Sequence, residues 1–127
     1  MAKKILLVDD DDLILKSVEN LLKSQGYQTV LAADGFEAVE KVREADFDLI
    51  ICDMRMPGMN GIETVQNIRG ELEKTGKAEV AEIFLTGYAE QDLERQARRM
   101  KVKGYIYKPF DLKEFLSVVK RALENGQ

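Results

Sequence analysis

Short apolar runs alternate along the chain with longer stretches in which apolar residues recur every three or four positions. The runs are Ile5-Leu6-Leu7-Val8, Leu49-Ile50-Ile51-Cys52, Ile83-Phe84-Leu85 and Tyr105-Ile106-Tyr107, with a weaker one between Gln28 and Ala32. Their length and their content of β-branched and aromatic residues predict strands, and the periodic stretches between them predict helices. The first strand is expected at about Lys4 to Val8, followed by a helix from about Leu13 to Gln25 with Ile14, Val18, Leu21 and Leu22 on its apolar stripe and Gly26 as its stop. A second strand from Gln28 to Ala32 leads to Asp34, which can cap a helix that Glu37 answers three residues on and that runs to about Glu44. The third strand, Leu49 to Asp53, is apolar on both faces, as a parallel strand covered by helices on each side should be.

The second half continues the pattern. Met54 to Gly61 carries a proline and two glycines and reads as a loop, and the helix after it bears Ile62, Val65, Ile68 and Leu72. Glu73 to Glu82 is polar and poorly periodic, which predicts a loop before a fourth strand from Ile83 to Thr86. The fourth helix, about Ala89 to Met100, has few apolar residues beyond Leu93, Ala97 and Met100 and should be weakly buried. A fifth strand, Tyr105 to Lys108, precedes a last helix capped by Asp111 and Glu114, with Leu112, Phe115, Leu116, Val119, Ala122 and Leu123 facing inward and a tail from Glu124 that should fray. No repeat, low-complexity tract or dividing linker interrupts the sequence. The expectation is one α/β domain over residues 1–127, core about 3–124, a doubly wound (βα)5 sandwich with no output domain.

Composition narrows the chemistry. With 127 residues and 45% hydrophobic positions the chain can build one core. A net charge of −4 gives no general attraction to nucleic acid or an anionic membrane, so partners must be recognised locally. One cysteine excludes an internal disulfide, and four apolar residues after Met-Ala-Lys-Lys are too few for a signal or membrane segment, which points to the cytoplasm. The absence of histidine excludes a Ser-His-Asp triad, a Cys-His pair and a histidine-ligated zinc site.

The remaining polar groups have a pattern. The run Asp9 to Asp12, the single Asp53 and Lys108 each follow an apolar strand-like run. In an open parallel sheet the carboxyl ends of different strands converge on one crevice. The expected product is a cluster of carboxylates facing a lysine, and clustered carboxylates call for a neutralising cation and suggest phosphate chemistry. Asp11 and Asp12 are sufficiently explained as helix-start residues, favoured by capping and the helix dipole.

The strings Ile5-Leu6-Leu7-Val8-Asp9-Asp10-Asp11, Asp48 to Gly61, Ile83-Phe84-Leu85-Thr86-Gly87 and Tyr107-Lys108-Pro109-Phe110 together resemble, in order and spacing over nearly the whole chain, the receiver domains of bacterial two-component response regulators. The resemblance implies a flavodoxin-like, CheY-like fold with strand order 2-1-3-4-5. It implies a phosphorylation-dependent switch of a two-component or phosphorelay system, either a stand-alone receiver or one excised from a longer, for example transcriptional, regulator, with Asp53 accepting a phosphoryl group from a phosphohistidine. Magnesium (Mg2+) would be held by Asp9, Asp10, Asp53 and the backbone carbonyl of Arg55. Thr86 would hydrogen-bond the phosphoryl group and Lys108 would pair with it, with Pro109 turning the chain, through a cis peptide in one arrangement. Tyr105 is on one reading an edge-strand aromatic. On the other it is the ring that moves with Thr86 and changes the surface of the fourth helix, fifth strand and fifth helix.

Pro57 and Gly58 would shape the loop after Asp53 and Gly87 would leave the site open, and the resemblance implies that Arg55 and Tyr88, at positions where receivers vary, would tune phosphoryl lifetime. Cys52 is expected in the core, since neighbours along a strand face opposite ways. The implied partners are a sensor histidine kinase or a histidine phosphotransfer protein, and an effector or output domain, with no nucleic acid or membrane contact. The domain is not a conventional enzyme, but it would catalyse its own phosphorylation and dephosphorylation. Residues 100–105 lack the Gly-Ala-Asp-Asp-Tyr string of receivers that dimerise through charged pairs, which favours a monomer over a phosphorylation-dependent dimer. Two other classes fit the sequence less well. A haloacid dehalogenase-type phosphatase expects a second Asp where Arg55 stands, and a flavodoxin-type FMN carrier expects a Ser, Thr and Gly loop where the four aspartates stand.

Overall fold

The computed structural model describes residues 2–87 and 91–125. These form a parallel sheet of strands β1 (Lys4–Val8), β2 (Gln28–Ala32), β3 (Leu49–Asp53), β4 (Ala81–Gly87) and β5 (Gly104–Lys108), in the order β2-β1-β3-β4-β5. The register pairs Val8 with both Ala32 and Cys52, Asp53 with Leu85, and Thr86 with Tyr107. The connections are the helices α1 (Asp12–Ser24), α2 (Gly35–Glu44), α3 (Gly61–Lys74), α4 (Gln91–Arg98) and α5 (Leu112–Asn125).

The sheet divides the core in two. Leu6, Val8, Ile50, Cys52 and Phe84 point to the side covered by α2, α3 and α4, whereas Ile5, Leu7, Leu49, Ile51, Leu85 and Ile106 point to the side covered by α1 and α5. This is the period of two expected of strands, with an apolar residue on both faces because helices cover both. Among the described residues no helix is long and apolar enough to cross a membrane.

The helix starts follow their capping residues. Asp11 accepts from the backbone N–H of Leu13 and Ile14, Asp34 from that of Glu37, and Asp111 from that of Glu114. A reciprocal capping box joins Asn60 and Glu63 at α3, a signature that the spacing of the two residues carries. At α1 the fully buried positions are Leu15, Val18 and Leu22, with Ile14 and Leu21 half-buried at the margins of the stripe.

Three expectations need correction. Leu112 does not face inward: it is 54% exposed, and the buried stripe of α5 begins at Phe115 and continues through Val119, Ala122 and Leu123. The polar segment from Glu73 to Glu82 is not all loop, since α3 continues to Lys74 and β4 begins at Ala81. Glu82 is a buried strand residue because Arg69 of α3 meets it with two hydrogen bonds, at 2.8 and 2.5 Å, and also donates to the carbonyl of Met100 at 2.7 Å. A buried carboxylate with a bidentate guanidinium partner is tolerated where a lone one is not. Finally, Glu124 lies within α5 rather than in a frayed tail.

Candidate metal centre and acidic pocket

Asp9 follows the last residue of β1 and Asp53 is the last residue of β3, so the parallel pairing of these two strands brings both carboxylates to one edge of the sheet. Both are buried, Asp9 fully and Asp53 at 6% exposure, and Asp10 beside them is exposed. One carboxylate oxygen from each of the three lies within 4.8 Å of the others. Lys108, the last residue of β5, reaches across from the other side of the sheet. Its ammonium stands 3.1 Å from Asp9 Oδ2 and 3.2 Å from Asp53 Oδ1. The second oxygen of Asp9 accepts from the backbone N–H of Asp11 at 2.9 Å, so Asp9 is held rigidly between β5 and the start of α1.

The electrostatics follow from this crowding. Burial, followed by the neighbouring Asp9 charge, pushes the Asp53 carboxyl up from 3.8 to about 7 against the opposing pull of Lys108. Asp9 is also raised, chiefly by burial. For Lys108, burial acts to lower its value, but the attraction of Asp53 and then Asp9 outweighs it and the net shift is upward. One cation for two buried carboxylates plus an exposed third leaves the pocket with surplus negative charge. Oxygen donors converging in this way suit a hard divalent ion such as magnesium, which takes one or two carboxylates and retains water.

The rest of the predicted set is arranged around the pocket. Thr86, on β4 next to β3, is fully buried, and its hydroxyl donates to the Gly87 carbonyl at 3.3 Å. The Lys108–Pro109 peptide is cis. Arg55 and Pro57 are exposed on the loop after β3, and Gly58 adopts a left-handed φ of 76° that favours glycine. Met54 and Met56 tie that loop to the core from below. Tyr88 lies outside the described residues. Tyr105 pairs with Phe84 rather than with Thr86, but the two-residue period of the strands sets Tyr105 and Thr86 on one face of the sheet. Its ring centroid is 6.3 Å from that of Phe84, and the Arg98 guanidinium carbon lies 4.8 Å over the ring. Cys52 is a free, fully buried core thiol, whose ionisation burial and then Asp53 oppose.

Two residues outside the predicted set belong to this region. Gly61 opens α3 so close beneath β3 that an added Cβ would collide with the Asp53 carbonyl oxygen and lie 2.7 Å from Met54 Cα; its N–H donates to the Met54 carbonyl at 2.8 Å. The glycine after the capping Asn60 was the available signal. Tyr107 is the register partner of Thr86, and its hydroxyl donates to Glu94 of α4, tying the fifth strand to the fourth helix. Its spacing of two from Tyr105 places both rings on one face.

A doubly wound α/β domain with a carboxylate pocket and a lysine at the carboxyl edge of its sheet presents a site suited to a cation. The family model described as the response regulator receiver domain matches residues 5–120, and the chain belongs to that family. It is 33% identical over 123 residues to sporulation initiation phosphotransferase F of Bacillus subtilis, covering 97% of this chain and 95% of that protein. It is 37% identical over 119 residues to the transcriptional regulatory protein ZraR of Klebsiella oxytoca, where the match takes in 94% of this chain and only 26% of that longer protein. Among solved structures it is similar to the receiver domain of the sensor histidine kinase PA1611 of Pseudomonas aeruginosa, which has a magnesium ion coordinated in its active-site cleft. That similarity has a TM-score of 0.84 at 29% identity and covers 98% and 99% of the two chains. Receiver domains are signalling proteins of two-component systems rather than conventional enzymes. They partner with histidine kinases and phosphotransfer proteins, and with output domains in longer regulators.

Proposed function

We propose that this chain is a phosphorylation-dependent switch that accepts a phosphoryl group on Asp53 from a phosphohistidine of a partner kinase or phosphotransfer protein. The observation that supports it is the convergence of Asp9, Asp10 and Asp53 within one ion's reach, with Lys108 bridging the two buried carboxylates. The carboxylate oxygen of Asp53 forms the new O–P bond as the N–P bond of the donor breaks and the imidazole nitrogen keeps the bonding pair. Hydrolysis reverses the gain: water attacks phosphorus, the O–P bond breaks, and Asp53 is restored as inorganic phosphate departs.

Asp9, Asp10, Asp53 and the backbone carbonyl of Arg55 would hold magnesium, which when bound supplies positive charge against that accumulating on the transferring group. Lys108 pairs with a phosphoryl oxygen in place of one carboxylate contact, and Thr86 turns its hydroxyl from the Gly87 carbonyl to a phosphoryl oxygen. Gly87 and the exposed Arg55 and Pro57 leave the pocket open to a donor. The Thr86 movement frees space on the face shared with Tyr105, and an inward turn of that ring alters the surface of α4, β5 and α5.

The test is intact-mass measurement after incubation with magnesium and acetyl phosphate. A gain of about 80 Da that disappears without magnesium and in Asp53→Ala is the expected result. Absence of the adduct, together with no binding of beryllofluoride, would leave a receiver-shaped interaction module that performs no transfer.

A further inference from the structure

The edge of the sheet opposite the acidic pocket holds a second space. At the amino ends of β4 and β5, the last turns of α3, the loop before β4 and the turn between α4 and β5 line a cavity of about 650 Å³. That volume lies within the range of about 300–1,000 Å³ usual for small-molecule sites. Leu72, Val80 and Met100 supply apolar lining. The charged lining divides by element: Glu73 and Glu79 come from α3 and the loop after it, Lys101 and Lys103 from the turn between α4 and β5. No residue of α5 takes part.

The cavity has a fixed frame. Arg69 of α3 makes two hydrogen bonds to Glu82 of β4 and a third to the Met100 carbonyl, which holds α3, β4 and the chain beyond α4 at a set separation around it. Arg69 is thereby matched by Glu82, and Lys77 is matched by Asp46. Glu73, Glu79 and Lys101 are exposed and, among the described residues, make no ion pair. Lys101 also has a left-handed φ of 56°, alone among the described residues other than glycine. Stopping α4 accounts for that backbone. Glycine or asparagine would stop a helix at less cost, so the lysine adds a cation beside the cavity where local structure does not require one.

We propose that this cavity binds a short apolar peptide with both termini free. Its ammonium group meets Glu73 and Glu79, its carboxylate meets Lys101 and Lys103, and its side chains lie on Leu72, Val80 and Met100. Two carboxylates disfavour a nucleotide or other polyanion, and two lysines disfavour a simple cation. The site lies at the far end of the strands from Asp53 and does not depend on phosphoryl transfer there.

The experiment is isothermal titration calorimetry of the whole protein with leucyl-leucine, with its N-acetyl derivative and with its C-terminal amide. Saturable binding of the free dipeptide with a Kd below about 1 mM is expected, weakened about fivefold by either cap. Glu73→Gln/Glu79→Gln should weaken the free dipeptide about fivefold and leave the N-acetyl derivative unchanged, because the ammonium that those carboxylates meet is already gone. By the same reasoning Lys101→Gln/Lys103→Gln should weaken the free dipeptide and leave the amide unchanged. The control Lys16→Gln/Lys23→Gln on α1 should bind as wild type does. All four altered side chains are exposed, and circular dichroism checks the fold. The capped dipeptides are read on the unaltered protein, so they test both charges even where a variant fails to fold. No saturable binding, equal affinity for the free and capped dipeptides, or unchanged affinity in both double variants would each overturn the proposal.

Discussion

Asp53 is a carboxylate placed where its charge is unwelcome until a cation arrives. Its value in the folded protein, about 7, lies above its ordinary 3.8, so without metal the folded state holds its proton more tightly than the unfolded chain does. That contribution to stability is fully present below about pH 4 and is lost as pH rises through 7. Metal-free melting curves should therefore show stability falling across that window, and Asp53→Asn should recover up to about 4 kcal/mol at neutral pH while abolishing the phosphoryl adduct. A variant no more stable than wild type at pH 7.5 would contradict this account. Gly61→Ala tests the neighbouring constraint. Its methyl group must displace the Asp53–Met54 backbone, so denaturant titration should show a loss of about 1–3 kcal/mol and magnesium affinity should fall with it. Asp9, Asp10, Asp53 and Lys108 were legible as candidates from strand ends, and Thr86 and Tyr105 from the resemblance to receiver domains. The importance of Gly61 and Tyr107 was not, because close approach beneath β3 and register opposite Thr86 are distances across the fold.

The elements obey local rules where a cap or a period speaks plainly. Asp11, Asp34 and Asp111 cap the helices that follow them, and strands β1, β2 and β3 have the expected bounds, β1 and β3 because their apolar runs end in acidic residues. At α3, Asn60→Ala removes the capping box and should cost about 1 kcal/mol in urea unfolding; a change within error would mean that tertiary contacts alone set the helix start. Where charge is buried, local rules mislead. Glu82 looks like loop from its polar neighbours, yet it is a β4 residue held by an arginine thirteen positions earlier. Arg69→Met should strand that carboxylate and release the Met100 carbonyl, costing about 2–4 kcal/mol, less than a fully enclosed pair would because Arg69 remains partly exposed. The double variant with Glu82→Leu should recover most of the loss, which a thermodynamic cycle measures. The exposed Leu112 makes the same point from the other direction, since helical period alone cannot tell which apolar positions meet the sheet.

For the molecule as a whole, the pocket joins the ends of β1, β3 and β5 and a bound ion would fasten the first two together. Magnesium at a hundredfold over its dissociation constant should therefore raise unfolding free energy by about 2.7 kcal/mol, an effect that should vanish in Asp10→Asn/Asp53→Asn. No magnesium-dependent rise in melting temperature would remove the metal from the account. The alternation of strand and helix, the burial of both sheet faces and the strand-end position of the acids are all properties of consecutive residues, governed by side-chain period and turn chemistry, and the sequence by itself determined them. The meeting of Lys108 with Asp9 across 99 positions, the raised ionisation of Asp53 and the burial of Glu82 were decided only by the tertiary structure. The reason is physical: Coulomb attraction, desolvation and steric contact depend on separation in space, and that separation exists only once the parallel strands are in register and the helices have closed over them.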